Sequence, residues 1–524
     1  MTCKFVFLSL LVLFGMCHIY SQTKVPVDIV QLSEATFSKN PAIKRNILNI
    51  SNAEGSLQIQ KSIFDYKLTS GVSLSRNALN LFEADPRNEF IGNRLKSRNT
   101  GVSMGLQKIF RSSLIARLNV DYSMAENNFP FNRFNQNVGS YLSDHSVSSR
   151  FSLTQPLLRG RGKTIATASE QASSLNLESA NNNTEFANSF ELFQMGSAYW
   201  QYVAAYKSLV IFKKNEARVR RVLEITEELV KADKKPAGDL AQIQADLANQ
   251  ERQTKVAEQT LYTARLNLGR AIGLSEAESK QLGDPLDEFP TIRESGYSND
   301  FDETIFLTIA RKNRKDIQAS KKIQKALELQ LRLAENNKKP QLDLTGFVNY
   351  GGMNMGNGLN RALATFSRNE GRSLGYGFDL NFSFPLNNNQ ARGTYIQNEV
   401  ALKDQKIANN NLQRNIDLNV SIAFNNLDNS VQVLEKAKEA LEFYQKVYHN
   451  EQVKFRNGLT ILLNLIQFQE RLTFAELDYL QAHQQFAIAI INLRYETGTL
   501  LKRKDNTTEV KIKRESFYTI PKNN

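Results

Sequence analysis

The chain has 524 residues, 41% of them hydrophobic, and a formal charge of +13. Its Lys and Arg are spread along helical stretches with no recognition motif beside them, so the basic balance does not mark a nucleic-acid binder. The only cysteines are Cys3 and Cys17, and beyond the N-terminal segment the histidines are the scattered His145, His449 and His483, without ligand spacing. That excludes a disulfide framework or thiol nucleophile in the rest of the chain and gives no reason to expect a metal or cofactor.

Lys4, the apolar run from Phe5 to Phe14, and Ile19-Tyr20-Ser21 before Gln22 read as a secretory signal over residues 1–21. The run is too short to span a bilayer as a helix. Lipidation at Cys17 is the alternative, with Phe14-Gly15-Met16 a poor approach to it. No later segment is apolar for long enough to make a membrane helix. An exported chain of this kind either stays outside the bilayer or crosses one as β-strands.

Asp28 to about Gln60 has a helical pattern, interrupted at Asn40-Pro41. Period-two segments follow. Phe64, Tyr66, Leu68, Val72 and Leu74 share one face, with Asp65, Lys67, Thr69, Ser73 and Ser75 opposite and Ser70 an exception on the apolar side. Val102, Met104 and Leu106 alternate with polar neighbours, and a tight turn at Phe110–Ser113 leads to Leu114, Ala116, Leu118, Val120 and Tyr122. A fourth candidate strand contains Val147, Phe151 and Leu153, ends at Pro156, and passes through Arg159-Gly160-Arg161-Gly162 into a helical tract.

That tract runs from about Thr164 to Lys231, breaks at Lys234-Lys235-Pro236-Ala237-Gly238, and resumes from Asp239 to Ile272. A Pro- and Gly-bearing linker, Gly283 to Asp302, precedes one helix from about Glu303 to Asn336. The strand Leu342–Thr345 and a Gly- and Asn-rich loop lead to the sharpest alternation in the chain. Tyr376, Phe378, Leu380, Phe382 and Phe384 are apolar, with small or polar residues between them, and Pro385 stops the ladder. A helical pattern then continues past Gly393 to about Asn457, roughly 100 Å at 1.5 Å per residue. Gly458 breaks it, Thr460 is positioned to cap a last helix reaching Glu496, and the polar tail from Lys502 is expected to be poorly ordered.

The order helix, strands, proline, long helix, break, helix therefore occurs twice. Gln155-Pro156-Leu157 into Arg159-Gly160 matches Phe384-Pro385-Leu386 into Arg392-Gly393, and Asp239-Leu240-Ala241 lies on Asn464-Leu465-Ile466. In the last helix Leu465, Phe468, Leu472, Ala475, Tyr479, Ala482, Phe486, Ala489 and Leu493 recur at spacings of three and four, a coiled-coil seam. Ile466, Leu480, Ile488 and Ile491 widen it toward a second neighbour, as in a bundle or ring. No Ser/His/Asp or paired-carboxylate arrangement suggests an enzyme.

Four pieces carry a resemblance: Leu32-Ser33-Glu34-Ala35 with Lys39-Asn40-Pro41-Ala42; Gln155 to Gly160; Ala334 to Pro340; and Phe455-Arg456-Asn457-Gly458-Leu459-Thr460. In this order, duplicated, the sequence resembles the TolC-like outer-membrane efflux channels over nearly the whole chain beyond residue 21. The resemblance implies a mixed fold, a membrane β-barrel continued by a long α-helical coiled-coil barrel, with two tandem repeats per protomer and closure by homotrimerisation. It implies a first repeat at 22–274 (strands about 63–157, helical hairpin about 164–272) and an equatorial linker at 275–302. A second repeat follows at 303–500 (strands about 341–385, hairpin about 391–496), then the tail 501–524.

The implied function is the exit duct of a tripartite efflux or type I secretion system in a Gram-negative outer membrane, meeting a periplasmic adaptor and an inner-membrane pump. The implied docking and gating tip comprises Lys231, Lys234, Lys235, Gly238, Asp239, Lys454, Arg456, Gly458, Leu459 and Thr460, with Tyr376 to Phe384 facing outer-membrane lipid and Pro156, Gly160, Pro385 and Gly393 at the strand-to-helix junctions. The family has two strands per half; the first half here has four candidates, and Lys234-Lys235-Pro236 replaces a short Gly-containing turn. The lengths around the extra hairpin, long gap, tight turn, long gap, favour six barrel strands per protomer. A secreted coiled-coil assembly without a pore is the competing reading, and it would be soluble without detergent.

Overall fold

The computed structural model describes residues 25–129, 142–298, 300–356, 358–367, 372–501 and 512–522; the signal segment 1–21 with Cys17 lies outside them. The main elements are β1 (Val25–Val27), α1 (Ile29–Lys39), α2 (Pro41–Ser62), β2 (Tyr66–Asn80), β3 (Arg94–Ile109), β4 (Ile115–Asn127), β5 (Leu142–Pro156), α3 (Ala168–Lys231) and α4 (Gly238–Ile272). They continue with β6 (Leu282–Pro285), α5 (Glu303–Asn313), α6 (Lys315–Asn337), β7 (Gln341–Met355), α7 (Leu359–Ser367), β8 (Ser373–Ser383), α8 (Asn389–Arg456), α9 (Leu462–Glu496) and α10 (Glu515–Tyr518). They gather into two compact units, each drawing on both sequence repeats. One takes in 48–183 and 316–412, the other 1–47, 184–315 and 413–524. Among the described residues no helix is long and apolar enough to cross a membrane.

In the unit holding 48–183 and 316–412, six strands form one antiparallel sheet in the order β2-β3-β4-β5-β7-β8. All four candidates of the first half are therefore sheet neighbours. The Phe110–Ser113 turn closes with Ser113 N–H donating to the Phe110 carbonyl at 2.8 Å. β2 and β8 are the two edges, each with one side of its backbone unpaired among the described residues.

The other unit is helical, with a short parallel pair of β1 and β6. Trp200, Tyr199, Tyr202 and Phe517 are fully buried in its core. The α9 seam packs as its spacing demands: Leu465, Leu472, Ala475, Ala482, Phe486, Ala489 and Leu493 are buried, with Phe468 and Tyr479 half-buried. The seam also holds a buried amide relay that apolar periodicity does not reveal. Gln469 Nε2 donates to Asn215 Oδ1 at 3.0 Å, and Asn215 Nδ2 donates to Gln250 Oε1 at 2.7 Å, tying α9 to α3 and α4.

Two expectations are corrected here. The helix from Glu303 to Asn336 is two helices, broken at Arg314, whose φ of −58° and ψ of 117° leave the helical region. The same kink occurs at Asn40, φ −61° and ψ 122°, at the matching place in the first repeat. Arg314 is held by burial: it bonds to Glu496 at 2.8 Å and lies over the Phe186 ring at 4.5 Å. The tail is also not loose throughout. Residues 512–522 pack back, burying Ile512, Phe517, Tyr518 and Ile520, and Ile520 N–H donates to the Ser295 carbonyl at 3.0 Å. Residues 502–511 lie outside the described chain.

Asp287 binds these distant segments together. Its carboxylate accepts from the Ile29 backbone N–H at 2.8 Å, the Tyr199 hydroxyl at 2.7 Å and the Tyr518 hydroxyl at 2.8 Å. Asp287→Ala strips the buried Ile29 N–H of its acceptor and leaves the Tyr199 and Tyr518 hydroxyls only the Val27 carbonyl at 3.3 Å and the Glu288 carbonyl at 3.0 Å; an unmet buried donor costs about 1–3 kcal/mol. The expected result in urea unfolding is a loss of about 1–3 kcal/mol, with Asp287→Asn in between. A loss under about 1 kcal/mol for the alanine variant would mean that solvent reaches these donors.

Candidate functional site

The sheet has two chemically different faces. Its register sets Leu68, Leu106, Leu118, Phe151, Val348 and Tyr376 in one row across all six strands. These side chains are 40% to 83% exposed, so no layer of the described residues covers them. The adjacent row on the opposite face is Thr69, Gly105, Asn119, Arg150, Asn349 and Gly375. Arg150 there lies over the Phe347 ring at 4.2 Å and reaches Asp379 at 3.3 Å.

On β2 the apolar face runs from Tyr66 to Leu74, roughly 27 Å at 3.4 Å per residue, close to the ~25 Å apolar band of membrane barrels. Beyond Leu74 the same face turns basic: Arg76 pairs with Arg98, and Lys96 and Arg94 follow along β3. Of the apolar series named from the sequence, Tyr376, Phe378, Leu380 and Phe382 lie on β8 and are exposed. Phe384 falls just beyond the strand and is 39% exposed.

At the first junction, Pro156 closes β5 opposite Asp343, and Gly160 turns the chain at φ +80°, its N–H donating to Asn336 Oδ1 at 2.7 Å. Two of the sequence pieces behind the resemblance thus touch. At the second junction, after Pro385, the left-handed residue is Asn388 (φ +45°), whose Nδ2 donates to the Lys338 carbonyl at 2.9 Å. Gly393 is an ordinary position within α8.

The two helical breaks end their helices in the same way. Gly458, φ +73°, follows α8; its N–H donates to the Phe455 carbonyl at 3.0 Å and that of Leu459 to the Lys454 carbonyl at 2.9 Å. This is the Schellman arrangement. After α3 the equivalent residue is Asp233, φ +55°, with Asp233 N–H to the Val230 carbonyl at 3.0 Å and Lys234 N–H to the Leu229 carbonyl at 2.9 Å. Gly238, named from the sequence as part of this break, is the first residue of α4, followed by Asp239 in its first turn.

The structure brings the two breaks together. Lys235 Nζ donates to the Thr460 carbonyl at 2.9 Å and lies 5.2 Å from the Phe455 ring centroid. Thr460 does not cap the last helix, as its position suggested; Ile461 occupies that place without a side-chain cap. The Thr460 hydroxyl instead donates to Glu451, which also pairs with Lys454 at 3.3 Å. The Thr460 hydroxyl first, and Lys454 after it, hold the Glu451 carboxyl below the usual range against the pull of its partial burial. Lys231, Lys234 and Arg456 remain exposed, so the basic surface is smaller than five cations by the engaged Lys235 and the paired Lys454. Beside them Leu459, Ile461 and Leu463 are 75%, 56% and 45% exposed. Ile461 and Leu463 were missed in the sequence, although the apolar run Leu459 to Leu463 was there to be read.

The outer membrane efflux protein family model matches residues 307–499. No curated protein sequence matches the chain. Among solved structures, the fold is similar to the Campylobacter jejuni CmeC outer membrane channel, with 15% identity over 90% of this chain and 85% of that one and a TM-score of 0.63. It is similar to the outer-membrane channel OprN, 15% identical over 90% of each chain with a TM-score of 0.64. It is likewise similar to the Neisseria gonorrhoeae MtrE channel in its open state, 14% identical over 90% and 88% with a TM-score of 0.58. The resemblance to TolC-like outer-membrane efflux proteins carried by the sequence is borne out.

Proposed function

We propose that this protein is the outer-membrane exit duct of an efflux or type I secretion system, a passive conduit in which three copies close one barrel. The observation that carries the reading is the two-faced sheet with two open edges. Unpaired edges are not tolerated in lipid, and six strands are too few for a wide pore. Because six is even, β8 of one copy meets β2 of the next antiparallel, and a head-to-tail contact of this kind closes into a ring. Three copies of six strands give eighteen.

The apolar rows then face lipid and the Arg, Asn, Thr and Gly rows line a wet lumen. The helices continue the duct into the periplasm. The tips, with Leu459, Ile461 and Leu463 beside Lys231, Lys234 and Arg456, offer an apolar patch with a basic rim to an adaptor that links the duct to an inner-membrane pump. Nothing in this arrangement asks for a cofactor.

Single cysteines at Gly375, Gly377 or Asp379 on β8, each combined with one at Ser73 on β2, test closure. At least one pair is expected to give a covalent trimer on denaturing gels from outer membranes, and deletion of the gene to sensitise cells to toxic compounds or stop export of a secreted protein. A detergent-free soluble protein with no cross-link from any pair would overturn the reading.

A further inference from the structure

α7 lies in the connection between β7 and β8 and packs on β5 and β7 at the strand ends away from the helical junctions. Its contact side is small. Thr365 is buried, and its carbonyl occupies the space that a Cβ at Gly352 would need, 2.4 Å away. Gly352 is the register partner of the buried Val147, and both belong to the row that begins with Val72 on the apolar face. That row lies two rows inside Arg76 and Arg98. His145, a polar residue on this same face, is 2% exposed, bonded to the Tyr122 hydroxyl at 2.7 Å and the Gly356 carbonyl at 2.9 Å.

The large apolar residues of α7 stay exposed. Leu359, Leu363 and Phe366 recur at i, i+4 and i+7, one stripe of a helix, and are 83%, 67% and 48% exposed. A helix in water would turn such a stripe inward. Here the helix lies on the apolar face of β5 and β7, in the row of Val147 and Gly352, and on β2 and β3 that face gives way two rows further out to Arg76 and Arg98, followed by Lys96 and Arg94. A row of cations just beyond an apolar band is complementary to the phosphate level of a bilayer, and an amphipathic helix at that level buries its stripe in the acyl boundary.

We infer that α7 is an interfacial helix that sinks Leu359, Leu363 and Phe366 into the outer leaflet of the membrane, anchoring the outer end of the barrel to lipid. The inference rests on the membrane-barrel reading above. The two are separated by adding one tryptophan at a time, Leu363→Trp or Tyr376→Trp, to the full-length protein. Trp200 is the only native tryptophan and is fully buried, so it supplies a constant background.

Purified protein is placed in phosphatidylcholine–phosphatidylglycerol vesicles whose acyl chains carry bromine near the headgroup or near mid-chain. The tryptophan at 363 is expected to lose most of its added fluorescence to shallow bromine and little to aqueous iodide, and the one at 376 to be quenched by mid-chain bromine. Quenching at 376 by lipid, with position 363 quenched only by iodide, overturns the interfacial helix and leaves the barrel standing. No lipid quenching at either position overturns both. Phe366→Trp repeats the test on the same stripe and is expected to follow Leu363→Trp.

Discussion

Tyr376→Arg is expected to abolish assembly of the channel in the outer membrane while leaving the isolated protomer as stable as before. Tyr376 is 83% exposed on the edge strand β8, in the row that is apolar across all six strands. In water, an exposed edge position of this kind tolerates arginine within about 0.5 kcal/mol. In a lipid-facing row the same change costs about 2–4 kcal/mol per strand at the bilayer midplane and less toward either interface. Three copies of the substitution enter each barrel, so the cost to the trimer rises to as much as about 6–12 kcal/mol, comparable to the whole stability of a domain. Thr69→Arg, on the polar face of β2, is the control and is expected to assemble normally. Heat-modifiable trimer in outer-membrane fractions reads both variants. Equal yields would show that the two faces meet the same solvent.

What could be read in the sequence was what local chemistry determines. Strict alternation at Tyr376 to Phe382 gave the strand and its two faces, because successive side chains point to opposite sides. Gly458 could be placed in a turn because a left-handed residue after a helix is usually glycine. Asp233 holds the same conformation after α3 and leaves no such mark in the sequence, and the nearby Gly238 is helical. The break at Arg314 was invisible for a related reason. Neither proline nor glycine stands there, and the kink depends on Glu496, 182 residues away, and on the Phe186 ring.

α7 was hidden inside a segment read as a Gly- and Asn-rich loop, since nine residues give too short a window for helical periodicity. The tail was misjudged from its charge. Ile512, Phe517, Tyr518 and Ile520 were there to be seen, but the groove that takes them is built from residues far away in the chain. Register across the sheet was out of reach altogether, because the alternation fixes which face a residue takes and not which row it joins.

Gly458→Val is expected to stop export while trimers still reach the outer membrane. Nothing lies within 4 Å of the position a Cβ would take, so the penalty comes from the backbone at φ +73°. For an L-residue that is about 1–2 kcal/mol, and a β-branched side chain stands at its upper end. Relief requires the turn to rearrange, and the turn carries the Thr460 carbonyl that Lys235 engages and presents Leu459. The paired tips would then separate and the exposed apolar patch would move.

The matching change in the first repeat, Asp233→Gly, has the opposite sign. It relieves a left-handed non-glycine residue and is expected to leave export intact and to stabilise by up to about 1 kcal/mol. Lys234→Glu with Lys235→Glu reverses charge at the same place and removes the bond to Thr460; it is expected to reduce adaptor cross-linking with trimer retained. Export and adaptor cross-linking at wild-type levels in both Gly458→Val and the double glutamate variant would mean that these tips engage no partner. Loss of trimer in Gly458→Val would instead place the turn in assembly. The glutamate pair separates the two roles, because it leaves the backbone of the Gly458 turn unstrained.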